Sequence, residues 1–362
     1  MARTAVIVGG GIGGLAAAVG LRRIGWDVTV LERAPAFTEV GAGLSLWPNG
    51  LRALELLGLR EQVMAQGVVE ARGGVRSRTG RWLSRSSSAQ IERRFGSPLV
   101  VVHRVDLIRI LLAALPAGVL RAGVAVTEPP EADLVVGADG LNSTIRAGRW
   151  PGIIPRYAGH TAWRMITNPV PPLADGAVTW GPGERFGFTA MAAGRVYCFA
   201  TGTVGAGRTS ADGEYAELRR RFGRWPDPIP ALLAATSPES VLRHDVYELP
   251  PLPSFVTGRT VLLGDAAHAM TPSLGQGACQ ALEDAVTLAA CLDRDGDVPS
   301  ALAAYDRVRR PRTQAVVRRA SRLGTIGQLA WPPAVFARDV AARLTPAAVT
   351  LRSMAPILGW RM

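Results

Sequence analysis

The chain has 362 residues, 48% of them hydrophobic and 19% charged, enough to bury a full core in one or two closely joined domains. All 41 basic residues are arginine, which excludes a lysine Schiff base, a pyridoxal phosphate linkage or a lysine general base. The net charge of +12 comes from scattered arginines without interleaved aromatics, so nucleic acid is not the expected partner.

Ala5 to Val8 reads as a short buried strand. Gly9, Gly11 and Gly14 follow in G-x-G-x-x-G spacing, an Ala/Leu-rich helix continues, and Asp27 to Leu31 forms a second strand. This is the dinucleotide fingerprint in its proper context. Gly9 makes the tight turn, Gly11 lets backbone approach a pyrophosphate, and Gly14 lets helix and sheet pack closely. The helix N-terminus then offers free N–H groups and a positive dipole end to the phosphates. Glu32, at the tip of the second strand, is placed to accept both ribose hydroxyls and to repel a 2′-phosphate. The motif alone does not separate NAD from FAD.

Ala34 to Gly43 reads as a loop, followed by Leu44 to Leu46 and a helix over 49–59 on Leu51, Leu54 and Leu57, closed by Gly58. Val68 to Leu83, broken by Gly73, Gly74 and Gly80, suggests antiparallel strands, and serines 84, 86, 87 and 88 mark a loop. Leu99 to His103 is a strand before a helix over 105–115 that Asp106 is expected to cap. Val124 to Val126 is a short strand. Leu134 to Ala138 is a buried one, running into Asp139 and Gly140.

From Gly159 to Gly202 the texture turns to strands, at 161–167, 177–180, 185–190 and 195–201. Helices over 214–222 and 230–235 and a returning strand over 241–249 follow. Thr260 to Leu263 is a buried strand ending in Gly264 and Asp265. Beyond Thr271, Pro272, Gly275, Gln276 and Gly277 a long helix runs to about Leu292, and a second, arginine-rich on its exposed side, spans 301–323. Ala334 to Leu358 is an amphipathic tail expected to pack on the domain surface. The three cysteines, Cys198, Cys279 and Cys291, fit neither a disulfide framework nor a metal site, and the four histidines show no ligand spacing, so no metal is expected. Free thiols, an opening strand that leaves no room for a signal peptide, and no run of about 20 apolar residues together suggest a cytoplasmic protein.

Three stretches share one pattern: GGGIGG near residue 9, GADGLNSTIR at 137–146, and LLGDAAHAMTPSLGQGACQALEDA at 262–285. Together they resemble the single-component FAD monooxygenases of the p-hydroxybenzoate hydroxylase family. VGAGLSLWPNG at 40–50 and ERFGFTAMAAGRVYCFA at 184–200 look most like the FAD-dependent urate hydroxylases within it. The resemblance implies an α/β fold, with a Rossmann-like FAD-binding domain (1–69, 97–156 and 254–325), an inserted mixed β-sheet substrate domain (70–96 and 157–253) and a C-terminal helical tail (326–362).

It also implies a set of FAD contacts: Gly9, Gly11, Ile12, Gly13, Gly14, Glu32, Arg33, Ser45, Arg104 in its R-x-x-L pattern, Asp139, and Asp265 near the ribityl chain. Gly275, Gln276, Gly277 and Ala278 would face the pyrimidine edge of the flavin, where a helix N-terminus stabilises the negative charge of the reduced ring. Val126 would meet the adenine, in a region between 115 and 133 that is shorter than in relatives. Arg185 would hold an anionic ring and Tyr197 orient it, with Trp47, Trp163, Arg164, Trp180, Met191 and Pro272 around the substrate. His268 reads as a structural core histidine. Ser273 stands where urate hydroxylases carry an aspartate, which argues against urate itself.

The function implied is NAD(P)H-dependent hydroxylation of an aromatic or heteroaromatic small molecule, with molecular oxygen adding at flavin C4a. NADPH or NADH would be a transient co-substrate, since no second G-x-G-x-x-G is present, and the chain would be a monomer or homodimer. A dehydrogenase or reductase of the same fold, predicting turnover without oxygen incorporation, and a non-catalytic FAD-binding module are the rival readings. Flavin halogenases of this fold need a lysine and are set aside.

Overall fold

The computed structural model describes residues 3–37 and 42–362. Val40 and Gly41, which open the VGAGLSLWPNG stretch, and part of the loop read at 34–43 lie outside the described residues.

Two sheets organise the molecule. The first has six strands in the order Val256–Thr257, Thr260–Leu262, Leu134–Gly137, Thr4–Val8, Asp27–Glu32, Leu120–Ala122. All its pairings are parallel except that of the outermost Val256–Thr257. Parallel strands are covered on both faces, which is why these segments are runs of Val, Ile and Leu. The Ile12–Arg23 helix packs against the Gly277–Arg294 helix, and both belong to the core that includes Ile7, Leu15, Val30 and Leu282.

The second sheet has seven strands in the order Leu242–Glu248, Arg156–Ile166, Val196–Gly202, Glu184–Ala190, Ala177–Trp180, Arg72–Ser77, Trp82–Ser87. One face packs Trp163, Met165, Phe186, Phe188 and Cys198 against Leu218, Phe222 and Trp225. A three-stranded sheet of Gly43–Leu46, Val100–His103 and Val68–Val69 completes the strands.

Four local expectations are corrected. Serines 84 to 88 do not form a loop: Trp82–Ser87 pairs with Arg72–Ser77, and Ser87 caps a helix over Ser88–Phe95. Its Oγ accepts from Gln90 N–H at 3.3 Å while Gln90 Oε1 accepts from Ser87 N–H at 3.1 Å. The S-x-x-Q spacing was the available signal. The helix after Val100–His103 starts at Arg104 and is capped by His103 Nδ1, which accepts from Val105 N–H at 3.2 Å. Asp106 instead pairs with Arg109 at 2.8 Å. No strand forms at 124–126. The strand is Leu120–Ala122, after which Gly123 and Val124 donate to the carbonyls of Ala34 (2.8 Å) and Glu32 (2.9 Å). Finally, the tail is two helices, Pro332–Leu344 and Ala347–Leu358. The second buries Ile357 and Leu358, but the first turns Phe336, Val340 and Leu344 to solvent.

Candidate active site

The glycine turn fits its expected parts. Gly9 has φ +110°, and a Cβ there would collide with the Ala138 carbonyl; a Cβ on Gly14 would collide with the Gly9 carbonyl. A Cβ on Gly11 would meet nothing within 4 Å. Gly9 and Gly14 therefore hold the turn together, while Gly11 opens onto space. The helix it begins has no side-chain cap and no acidic residue in its first turn, so its free N–H groups are left for an anion. Glu32 accepts from Gly10 N–H at 2.7 Å and Ala34 N–H at 2.8 Å, which fixes the carboxylate at the strand tip with lone pairs to spare. Arg33 beside it is exposed.

A cavity of 430 Å³ runs from this turn to the seven-stranded sheet. Gly11, Ile12, Gly13, Ser45, Arg104, Gly140, Asp265, Pro272, Gly275, Gln276, Gly277 and Ala278 line one part. Ala162, Arg164, Val178, Trp180, Arg185, Tyr197, Phe199 and Thr201 line the other. A larger surface depression of 660 Å³ at Thr4, Asp133 and Arg259 contains none of the expected site residues.

The sheet wall follows from strand alternation. Ala162 and Arg164 face the cavity, so Trp163 between them faces the other way; it is 1% exposed, sits in the core under the sheet, and donates from Nε1 to Glu214 at 2.6 Å. Trp163 is thus removed from the pocket wall. Met191 packs with Ala42, Val101 and Tyr197 and does not line the cavity, nor does Trp47, whose indole sits behind Gly275. Asp139 is also outside the lining: it accepts from Ser143 Oγ at 2.5 Å and Thr144 N–H at 2.7 Å, at the start of the Thr144–Arg149 helix that Ser143 caps, and leaves Gly140 at the wall. Val126 packs on the main core beyond the Glu32 end of the strand.

Three arginines shape the field in the cavity. Burial lowers the Arg104 guanidinium, Asp265 offsets this and Arg164 adds to it. Tyr197 is raised by burial, with the Arg164 guanidinium pulling the other way. Arg185 is 4% exposed and has Thr201 Oγ1 as acceptor from Nε at 3.1 Å. Burial, helped by Arg338, brings its pKa down to about 10. Among the described residues no carboxylate lies within ion-pair distance of Arg185, so its charge is left for something that enters the cavity.

The Gly275–Ala278 turn is held by a buried polar network that sequence reasoning missed. Asn49 Nδ2 donates to Gln276 Oε1 (2.9 Å) and Glu283 Oε1 (2.7 Å). Asp284 accepts from Gly264 N–H (2.9 Å), His268 Nε2 (2.5 Å) and Arg309 Nε (2.7 Å). Burial pushes the Asp284 carboxyl up, but His268 and Arg309 beside it hold it well below the usual range. Glu283 pairs with Arg309 and Arg312. His268 is therefore structural. The sequence signal was two adjacent carboxylates, Glu283 and Asp284, inside an otherwise apolar helix face.

These residues fit FAD. The open Gly11, the uncapped helix there, a second uncapped helix beginning at Gly277 whose added Cβ would meet nothing within 4 Å, and the buried, unpartnered Gln276 Nε2 all face ligand space or leave a group to satisfy.

The comparisons agree. A family model described as an FAD binding domain matches residues 2–119 and 252–320. The chain belongs to the FAD-dependent aromatic hydroxylases. It is 38% identical over 347 residues to the aurachin C monooxygenase/isomerase of Stigmatella aurantiaca, covering 90% of each chain. It is 38% identical over 366 residues to the 3-amino-4-hydroxybenzoate 2-monooxygenase of Streptomyces cremeus, covering 94% and 91%. The structure of Klebsiella pneumoniae HpxO complexed with FAD and uric acid superposes with a TM-score of 0.91 at 30% identity, covering 98% of this chain and 96% of that one. The hydroxylase is thus an FAD-dependent monooxygenase, and the dehydrogenase and binding-module readings fall away.

Proposed function

We propose that the 430 Å³ cavity is the hydroxylation chamber, and that its substrate is an anionic hydroxylated aromatic or heteroaromatic ring other than urate. One observation carries the reading: the dinucleotide turn and one face of the inserted sheet line the same cavity, and the sheet contributes a buried arginine without a carboxylate. FAD, when bound, supplies electron transfer from NADH or NADPH and the activation of molecular oxygen. Gly9, Gly11, Ile12, Gly13, Gly14 and Glu32 would hold its dinucleotide part. Ser45, Arg104, Asp265 and the Gly275–Ala278 turn would hold the rest.

The chain's own residues do the positioning. Arg185 and Arg164 offer forked donors to a ring oxyanion or carboxylate, and Tyr197, on the same wall of the cavity, fixes its direction. A cation beside a ring oxygen favours its ionised form, which enriches the ring carbons that accept oxygen. The N-terminus of the Gly277–Arg294 helix provides N–H donors where negative charge develops. Val178, Trp180, Phe199, Met270 and Leu323 keep the chamber apolar, so water is excluded from the reacting atoms. Ser273, which accepts from Thr271 Oγ1 at 3.2 Å, presents a neutral hydroxyl at the wall. This favours a phenol-like substrate over urate.

The three free thiols support a cytoplasmic setting, and a monomer or homodimer suffices, since the cavity is complete within one chain. The test is aerobic NAD(P)H oxidation by FAD-loaded protein against phenols, hydroxypyridines, quinolones and urate, with mass spectrometry of the products. Stimulation with one added oxygen by an anionic phenol supports the reading; turnover of urate alone refutes it.

A further inference from the structure

The Pro332–Leu344 helix is built inside out. Its buried side carries Arg338, which donates to the carbonyls of Gly181 and Gly327 and whose guanidinium lies 5.1 Å over the Trp180 ring. Phe336, Val340 and Leu344 recur every fourth residue and so share the opposite side. Phe336 is 72% exposed and Leu344 75%, and Trp331, at the helix start, is 69% exposed. The stripe continues onto the next helix at Val349. Propensity does not require an apolar outer face, and an exposed cluster of this kind marks an interaction surface.

Charge says what covers it. Residues 298–362 contain eleven arginines against two acids, Asp306 and Asp339. Both acids are already paired, with Arg310 at 3.0 Å and Arg338 at 2.8 Å. Arg343 and Arg352 are exposed on the same two helices, and Arg93 and Arg94 adjoin Ala348 and Leu351 at their edge. A second copy of the chain would bring these arginines face to face. An apolar stripe with an aromatic at its start and an arginine rim is what an in-plane helix needs at an anionic bilayer surface.

We propose that this helix docks the hydroxylase peripherally on anionic lipid membranes, with Trp331, Phe336, Val340 and Leu344 entering the acyl boundary and Arg343 and Arg352 meeting headgroup phosphates. No helix of the described residues is long and apolar enough to cross a membrane, so the contact is one of surface. The docked element is attached to the chamber: Gly327 lies against Arg185, and Gln328 Oε1 accepts from Thr201 Oγ1 at 3.2 Å.

The test is flotation of the FAD-loaded full chain with phosphatidylcholine vesicles, with and without phosphatidylglycerol, beside sizing chromatography. Binding should be roughly tenfold stronger with the anionic lipid and fall with salt. Phe336→Ser with Leu344→Ser should abolish it, and Arg343→Glu with Arg352→Glu should remove the lipid preference, both at unchanged FAD content and melting temperature. No vesicle binding overturns the proposal. So does binding that survives both double variants, or a dimer that the serine variant dissociates.

Discussion

Replacing Arg185 by methionine should move stability and substrate affinity in opposite directions. The guanidinium is buried without a carboxylate among the described residues, and its pKa falls from the ordinary arginine value to about 10. At 1.36 kcal/mol per unit, holding the charge costs the folded, substrate-free protein about 3 kcal/mol. Methionine keeps most of the stem volume and removes the charge, losing the hydrogen bond to Thr201, worth about 1 kcal/mol. A net gain of about 1–2 kcal/mol remains, which for a chain of this length raises the melting temperature by roughly 1–3 °C. Binding of an anionic ring should lose about 2–5 kcal/mol, roughly 30-fold or more. Thermal unfolding of the FAD-loaded protein reads the first effect, and titration of substrate against the flavin absorbance reads the second. A variant that melts lower and binds substrate as well as the parent would refute the reasoning. The pH dependence has a fixed sign. With its folded pKa lowered, Arg185 destabilises the protein below about 10, and this penalty is relieved as pH rises from there towards the ordinary arginine value.

Gly11→Ala should fold normally and lose FAD affinity, because its Cβ enters only open space, whereas Gly14→Ala should fail to accumulate as folded protein, because its Cβ collides with the Gly9 carbonyl. Equal far-ultraviolet dichroism and melting for both would contradict this division. Asp265→Ala should purify with little flavin at an unchanged fold; full flavin content would remove Asp265 from the binding set. Asp284→Asn should lower stability at pH 7 by about 3 kcal/mol, since Arg309 and His268 lose their buried anion. The Asp284 carboxyl is held low in the fold, so its contribution is complete above the ordinary carboxylate range, declines as pH falls below that range, and is gone only below the lowered folded value. The difference in melting temperature between variant and parent should therefore shrink in acid, and a constant difference would count against the assignment.

What was legible in the sequence follows from how local the signal is. The glycine turn, the Gly264–Asp265 element and the alternation of the 177–202 strands are set by short-range sterics and by period-two burial, and the cavity collects the residues they pointed to. Strand direction was not legible: Trp163 and Arg164 are neighbours, and only pairing with Ala200 and Phe199 decides which one faces the chamber. Asp139 shows a second limit, because the same carboxylate suits a helix N-terminus and a cofactor contact; in the fold it accepts from Ser143 Oγ and from the Thr144 and Ile145 N–H groups. The network through Asn49, Glu283, Asp284 and Arg309 joins residues more than 200 positions apart, as Asn49 to Glu283 shows; the adjacent carboxylates in an apolar helix face mark that partners exist, but no local pattern says which residues they are.

The buried cysteines have a bearing on the chemical lifetime of the protein. Flavin hydroxylation that loses its substrate releases hydrogen peroxide beside the polypeptide, and peroxide attacks thiolates rather than thiols. Cys279 is pushed up to about 12 by burial, and Cys198 and Cys291 are raised by the same cause. At neutral pH the chain therefore offers its own by-product almost no thiolate. A single cysteine introduced on the surface would be its one readily oxidised or labelled thiol.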